Sequence, residues 1–202
     1  MRTDFLKNSQ AQTHRKAGGF SLIEVMIAIV VLVIGLTGLM ALFAKSLSAV
    51  QSSQDGQIAR QKSREAMESI YAARNDEAIS FDQIQNVGTP PGIFNDGFQK
   101  MYLAGTNGIP GTTSDTTIID RVILPGKNGV VETAPNAATP SGDDVFYPLV
   151  NFQRQILISP VVVGGATNLY MRKVTVTVRV NAGGANAVDY VTTGYISTSQ
   201  QQ

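Results

Sequence analysis

The residues with the clearest chemical potential lie close together near the N-terminus: two glycines, a phenylalanine and an acid. Gly18 and Gly19 precede Phe20, and Glu24 follows four residues later. Two residues without a β-carbon leave the backbone flexible and uncrowded, as an extended protease substrate requires. The Glu24 carboxylate can pair with a cation. The spacing therefore favours a proteolytic site at the glycines, with an anion about one helical turn beyond Phe20.

Glu24 is unusual because it lies in an apolar segment. Residues 25–44 form a run of twenty in which only Thr37 has a polar side chain, and Lys45 closes the run. As a helix, such a run is about 30 Å long, the thickness of the hydrocarbon core of a bilayer. An ionised acid costs roughly 2.5–3.5 kcal/mol at the centre of a membrane helix and less near the interface. An acid here indicates a function and a cationic partner.

The flanking charge is consistent with a membrane segment. Residues 1–19 carry four basic residues and one acidic residue, which favours keeping them in the cytoplasm. A cleaved secretory signal fits poorly, because the apolar run is long and residues 44–46 and 49–51 make poor small-x-small cleavage sites. A plain signal anchor explains the run and the flanking charge, but it leaves Glu24 unexplained.

A third interpretation rests on the junction KAGGFSLIE at residues 16–24. It resembles the class III signal of type IV pilins and pseudopilins, in which a basic leader ends in Gly and an aromatic residue opens the hydrophobic helix. The resemblance implies that a prepilin peptidase cuts after Gly19 and then N-methylates Phe20, while the helix stays on the mature protein. It also implies that Glu24 meets the N-terminal amine of a neighbouring subunit. Such a pair at 4 Å is worth on the order of 4 kcal/mol before desolvation, at an effective dielectric of about 20.

The apolar segment carries a second resemblance. The stretch VIGLTGL at residues 33–39, followed by a Gln/Ser-rich segment, is similar to the PilV group of minor pilins. The absence of proline near Ala41 departs from many major pilins. The resemblance implies a minor pilin subunit that primes or caps a type IV pilus. A pseudopilin of a type II secretion system is the alternative, and a bitopic membrane-anchored protein of another class stays open if the junction is not processed.

The resemblance also implies partners and a location. The partners are prepilin peptidase, other pilin and minor pilin subunits, the inner-membrane assembly platform and membrane lipid. Before assembly the chain would cross the inner membrane once, with its N-terminus in the cytoplasm and its C-terminal domain in the periplasm. After assembly it would lie in a pilus or pseudopilus at the cell surface.

Composition argues against catalysis and against nucleic-acid binding. Charged residues make up 15% of the chain, below the typical quarter, and the formal net charge is only +1. There is no cysteine, and cleavage after Gly19 would remove His14, the single histidine. The mature chain would then lack the commonest general base and the commonest zinc ligands. We expect a protein that is not an enzyme and has no cofactor.

Two charged groups in the C-terminal part merit inspection. Asp143 and Asp144 form an acidic pair in a loop, without the alternating ligand spacing of a known calcium motif. Arg172, Lys173 and Arg179 form a basic group on a predicted strand, which favours a solvated face over a DNA-binding surface.

One long helix is predicted to position the junction. No proline occurs between residues 20 and 89, so a helix can run over 20–74, with its transmembrane part at 25–44. Beyond Lys45 the pattern becomes amphipathic. The positions expected on its apolar side are Leu47, Val50, Ile58, Met67, Ile70 and Ala73, with Gln54, Lys62 and Glu65 between them.

The remaining chain is predicted to form loops and then a sheet. Residues 75–150 are rich in Gly, Pro, Thr and Asn and predict a variable loop region, with a short helix at 79–84 and one strand at 117–124. Residues 151–202 predict strands at 152–158, 172–180 and Val188–Ser197. Val174, Val176, Val178 and Val180 should share one face. The expected fold is α+β, with a long N-terminal helix packed on a C-terminal antiparallel sheet of three or four strands, as in type IV pilins. Without cysteines, packing must hold the loops.

Overall fold

The computed structural model describes residues 19–134, 137, 139–181, 184 and 186–198. One long helix, α1 (Leu22–Asn75), is followed by a short 3-10 helix (Phe81–Gln83) and six strands. The strands are β1 (Gln99–Lys100), β2 (Arg121–Leu124), β3 (Val145–Pro148), β4 (Phe152–Val163), β5 (Ala166–Val180) and β6 (Val188–Ser197). The chain divides into two units between Ala49 and Val50, within α1. The unit that begins at Val50 is called the head below.

The described part of the N-terminal unit consists of residues 19–21 and the apolar part of α1. In the described part of this unit every residue is exposed. An 18-residue window within α1 has a mean hydropathy of 2.9, so the helix is long and apolar enough to cross a membrane.

The head is built on an antiparallel sheet with the strand order β1-β4-β5-β6. Val174, Val176, Val178 and Val180 are all buried, as the alternating pattern predicts. They pack against residues 59–73 of α1 in two adjoining core clusters. The predicted α+β fold, with a long helix packed on a C-terminal antiparallel sheet, is therefore confirmed.

The sheet differs from the prediction at its edges and in its length. β1 comes from the region predicted as loop and pairs with Gln153 and Arg154 of β4. The predicted strand at 117–124 is shorter, begins at Arg121, and pairs with the unpredicted β3 as a separate two-stranded sheet. Strands of two to four residues are too short to show a periodic sequence pattern. Pairing with segments far along the chain determines where they form.

β4 and β5 are longer than predicted and form one hairpin. Val163 pairs with Ala166 across a two-residue turn made of Gly164 and Gly165. Both glycines have positive φ, +60° and +86°, as a two-residue turn that follows the strand twist requires. The bend before β6 was predicted from residues 181–186, of which 182, 183 and 185 lie outside the described residues.

The buried stripe of α1 agrees with only half of the predicted apolar positions. Met67, Ile70 and Ala73 are buried, but Leu47 and Val50 are exposed and Ile58 is half-buried. Lys62, expected between the apolar positions, is itself only 8% exposed. That expectation was wrong because Lys62 finds an acidic partner inside the head, as described below.

Candidate processing and assembly site

The helix begins two residues after the predicted cleavage point. The Ser21 carbonyl accepts the N–H groups of Glu24 at 3.0 Å and Val25 at 3.2 Å, which closes the first turn of α1. Gly19 and Phe20 precede this turn, and Phe20 is 83% exposed. The sequence interpretation had the helix begin at Phe20, so the residue predicted to be methylated lies just outside the regular helix. Gly18 and the rest of the leader lie outside the described residues.

Glu24 lies in the first turn of α1. A carboxylate there is stabilised by the unpaired N–H groups and the positive end of the helix dipole. Its side chain is exposed, and among the described residues it forms no ion pair within 4.0 Å. The anion is therefore free to pair with a cation supplied by another molecule.

The surface around Glu24 and beyond it is apolar and uncovered. Residues 22–50 are all exposed, although most of their side chains are large and aliphatic. The Thr37 hydroxyl donates to the Ile34 carbonyl at 2.9 Å, so the one polar side chain within residues 25–44 is satisfied inside the helix. This segment suits a lipid or a filament interior, where backbone and hydroxyl groups have no water to bond.

The described glycines of the N-terminal unit, Gly19, Gly35 and Gly38, have open space around them. A β-carbon placed on Gly19, Gly35 or Gly38 would meet nothing within 4 Å. Packing within the chain therefore gives no reason for a glycine at these positions. Close approach by another molecule would give one, such as a peptidase at Gly19 or a neighbouring helix at Gly35 and Gly38.

The basic group of the head is engaged within the head. Arg172 lies over the Phe81 ring, 4.6 Å from its centroid, and donates to the Ile84 carbonyl at 3.0 Å. Arg179 makes a two-pronged pair with Asp189, with both N–O distances at 2.7 Å. Hydrogen bonding from Arg179 holds the pKa of Asp189 below its usual value. Two of the three basic side chains thus make contacts within the head. The preference for a solvated face over a DNA-binding surface stays a prediction.

Asp143 and Asp144 connect two loops through hydrogen bonds. The Asp144 carboxylate accepts the backbone N–H groups of Gly126, Glu132 and Thr133. The side-chain hydrogen bond from Thr133 and then these backbone bonds lower the pKa of Asp144. Asp143 accepts the N–H of Lys127. Within the described part of the chain, no three His, Cys, Asp or Glu residues are grouped as a metal site. These hydrogen bonds, here called the Asp144 latch, join the loop at residues 126–133 to residues 143–144.

Buried ion pairs join the loops to α1 and to the sheet. The sequence analysis did not predict these pairs. Lys62 Nζ lies 3.1 Å from both carboxylate oxygens of Asp120 and 3.1 Å from Glu65. Arg154 of β4 lies 3.8 Å from Asp115, and burial raises the pKa of Asp115 and lowers that of Arg154. Lys62 stands three residues after the buried Ala59 and four before the buried Ala66. That spacing was the available signal, because it puts Lys62 in the buried stripe.

Comparison with known proteins identifies a signature on the N-terminal segment. Residues 14–40 match the family described as the prokaryotic N-terminal methylation motif. No curated protein and no solved structure gives a significant match. The matched range contains the predicted cleavage point, Phe20, Glu24 and much of the apolar run. Together with the uncovered apolar helix, this motif supports a membrane-anchored, type IV pilin-like prepilin or pseudopilin, for which it implies processing by prepilin peptidase and assembly with other pilins.

Proposed function

We propose that the chain is a minor pilin subunit of a type IV pilus. Prepilin peptidase would cut after Gly19 and methylate Phe20, and α1 would then carry the subunit into the filament, where it primes or caps assembly. The observation that carries this proposal is the position of Glu24. It is an exposed anion in the first turn of a helix whose apolar segment, residues 22–50, is uncovered.

Cleavage would supply a cation at this site. It would leave a cationic amine on Phe20, which lies outside the regular helix and is 83% exposed. A neighbouring copy of the helix would bring its own amine to Glu24. Because lipid or a filament interior strengthens attraction between opposite charges, the pair would set the axial register between adjacent helices. Close packing of the aliphatic side chains would add van der Waals attraction between the helices.

The choice of a minor pilin rests on the apolar segment. Gly35 and Gly38 have no packing partner within the chain, so a neighbouring helix could approach closely there. Their setting, VIGLTGL, is similar to the PilV group. A pseudopilin of a type II secretion system shares the junction and is the second candidate. Deletion of the gene separates the two, because it should reduce surface pili if the chain is a minor pilin and protein secretion if it is a pseudopilin.

A structural rather than an enzymatic role is part of the proposal. It is supported by the contacts through which charged side chains hold the head together. Lys62, Asp120 and Arg154 are buried, Asp115 is half-buried, and all four lie in ion pairs, while Asp144 accepts three backbone N–H groups.

Two substitutions at Glu24 test the assembly role. Glu24→Val removes the anion and should leave cleavage intact, while the subunit is lost from the sheared surface fraction. Glu24→Asp keeps the charge in the first turn and should retain part of the incorporation. Processing is followed by immunoblot of the membrane fraction. Equal incorporation of Glu24→Val and the unchanged chain would contradict the charge-pairing role.

A further inference from the structure

The loops of the head contain two Asn-Gly pairs, Asn107-Gly108 and Asn128-Gly129. In each pair the glycine N–H donates at 3.1 Å to the carbonyl three residues before it, and the glycine has a positive φ. In each pair the asparagine Oδ1 also accepts the N–H two residues further on, from Ile109 at 3.1 Å and from Val130 at 2.8 Å. The two asparagines therefore share one local geometry and differ in their surroundings.

An Asn-Gly pair can lose ammonia without an enzyme. The glycine nitrogen gives up its proton and attacks the asparagine Cγ, which closes a succinimide ring, and Nδ2 takes up the proton and leaves as ammonia. Water then opens the ring at either carbonyl and leaves aspartate, or isoaspartate with the side-chain methylene inserted in the backbone. Glycine favours the attack because no β-carbon hinders its nitrogen. The asparagine side chain must first leave its own hydrogen bonds and rotate toward the backbone.

The side chain of Asn107 is held by buried partners. Its Nδ2 donates to Thr112 Oγ1 at 2.9 Å, and its Oδ1 accepts the Ile109 N–H. Thr112 and Ile109 are each only 1% exposed. Because both partners are shielded from water, rotation of Asn107 would leave the Ile109 N–H unpaired, at a cost in free energy. The fold therefore protects Asn107 from the reaction.

The partners of Asn128 are open to solvent. Its Nδ2 donates to Glu132 Oε1 at 3.0 Å, and its Oδ1 accepts the Val130 N–H. Asn128, Val130 and Glu132 are all exposed. When the Asn128 side chain rotates, water can take over both hydrogen bonds, so the rotation leaves no polar group unpaired.

We propose that Asn128 is a site of spontaneous deamidation and that its conversion loosens the Asp144 latch. The product places a carboxylate where the Asn128 amide donated to Glu132, and two anions at that distance repel each other. Isoaspartate also lengthens the backbone of the turn, which opens the hydrogen bond from the Gly129 N–H to the Gly126 carbonyl.

The altered turn is joined to the latch on both sides. Before Asn128, the Gly126 N–H donates to one carboxylate oxygen of Asp144 at 3.3 Å. After Asn128, the Glu132 and Thr133 N–H groups each donate to the other oxygen at 2.8 Å. Asn128 therefore lies between the two backbone segments that Asp144 holds together, so a change in the turn displaces donors of the latch.

Peptide mapping of the full chain in detergent, at mildly alkaline pH and over time, tests the reaction. Deamidation adds the mass difference between OH and NH₂, and tandem mass spectrometry assigns it to residue 107 or residue 128. In the folded chain, residue 128 should react at least about tenfold faster than residue 107, because only rotation of Asn107 leaves a buried donor unpaired. In urea the two rates should become similar, because both asparagines then precede a glycine in an open chain.

Two variants test the effect on the latch. Asn128→Asp supplies the charge of one product from the start, whereas Asn128→Gln keeps an amide that closes a larger ring less readily. Hydrogen exchange of the Glu132 and Thr133 N–H groups should be about two- to fivefold faster in Asn128→Asp than in Asn128→Gln, as expected for an exposed charge interaction. The N–H groups of β5 serve as the control and should exchange equally in both variants.

Three results would overturn this proposal. One is an equal rate of deamidation at residues 107 and 128 in the folded chain. Another is a folded chain in which residue 128 keeps its amide while the chain in urea loses it. Equal exchange of the Glu132 and Thr133 N–H groups in the two variants would overturn the effect on the latch. The reaction needs neither processing nor assembly, so each of these results would leave the proposed function standing.

Discussion

The Tyr71 side chain of α1 lies directly over Gly194 of β6, so closely that a β-carbon on the glycine would be 2.3 Å from the hydroxyl oxygen. The reverse arrangement occurs at the other end of the contact, where Gly56 of α1 lies under the Tyr190 hydroxyl at 2.5 Å from its own β-carbon position. Each element thus supplies a glycine to receive a tyrosine of the other. This reciprocal pair sets the distance between the helix and the sheet of the head.

We predict that Gly194→Ala destabilises the head by about 1–3 kcal/mol, because the added methyl group overpacks the helix–sheet contact. Tyr71→Phe removes the clashing oxygen, so the double variant should lose less stability than the sum of the two single changes. Thr193→Ala, at the exposed neighbouring position, serves as the control. Urea unfolding of the full chain in detergent, followed by tyrosine fluorescence, measures the free energies of unfolding. Strictly additive losses would contradict the contact.

A second prediction concerns the buried pair of Lys62 and Asp120. Lys62→Met leaves the Asp120 carboxylate buried without its cation and should cost about 3–5 kcal/mol of folding free energy. Glu65→Gln changes the exposed partner of the same lysine and should cost less than about 1 kcal/mol. The same unfolding experiment separates the two. Equal losses of folding free energy would indicate that the pair of Lys62 with Asp120 contributes no more to stability than its pair with Glu65.

A third prediction follows from the Asp144 latch. Hydrogen bonds from Thr133 and its neighbours hold the pKa of Asp144 below the ordinary 3.8, so the folded state binds this proton less readily than the unfolded state. The latch therefore contributes its full stability above pH 3.8 and loses it as the pH falls through the lowered value. Asp144→Asn should reduce the difference in melting temperature between pH 7 and pH 3. The exposed Asp76→Asn should leave that difference unchanged, and a similar effect of both changes would contradict the latch.

The sequence was informative where a local pattern decides the structure. Strict alternation over residues 172–180 predicted the buried face of β5, and the proline-free stretch after Phe20 predicted α1. It was uninformative where the partner lies far along the chain. β1 is two residues long and exists because Gln99 and Lys100 meet β4, and the burial of Lys62 depends on Asp120, 58 residues away. We expected packing to hold the cysteine-free loops, and ion pairs and the Asp144 latch contribute as well.

The N-terminal site was predictable because its residues are consecutive and its signature is local. The methylation motif confirms a type IV pilin-like signal at residues 14–40. The roles of Gly18, Gly19, Phe20 and Glu24 stay predictions, because they depend on a peptidase and on neighbouring subunits that one folded chain does not contain.

A fourth prediction concerns Gly19, which has open space around it in the fold. Gly19→Trp should leave the head as stable as in the unchanged chain, because Gly19 lies outside the head and a β-carbon at this position meets nothing within 4 Å. It should nevertheless leave uncleaved precursor in the inner membrane, because the bulky group obstructs the peptidase. Gly35→Ala, at a similarly open position, should be cleaved normally. Normal maturation of Gly19→Trp on an immunoblot would contradict the assigned cleavage point.

The most direct measurement is the mass of the N-terminal peptide of the protein extracted from membranes and from sheared filaments. If the chain is processed as a pilin-like prepilin, the peptide begins at Phe20 and carries one additional methyl group. A peptide that still begins at Met1 in the filament fraction would mean that no amine forms at Phe20, and pairing of that amine with Glu24 could not take place.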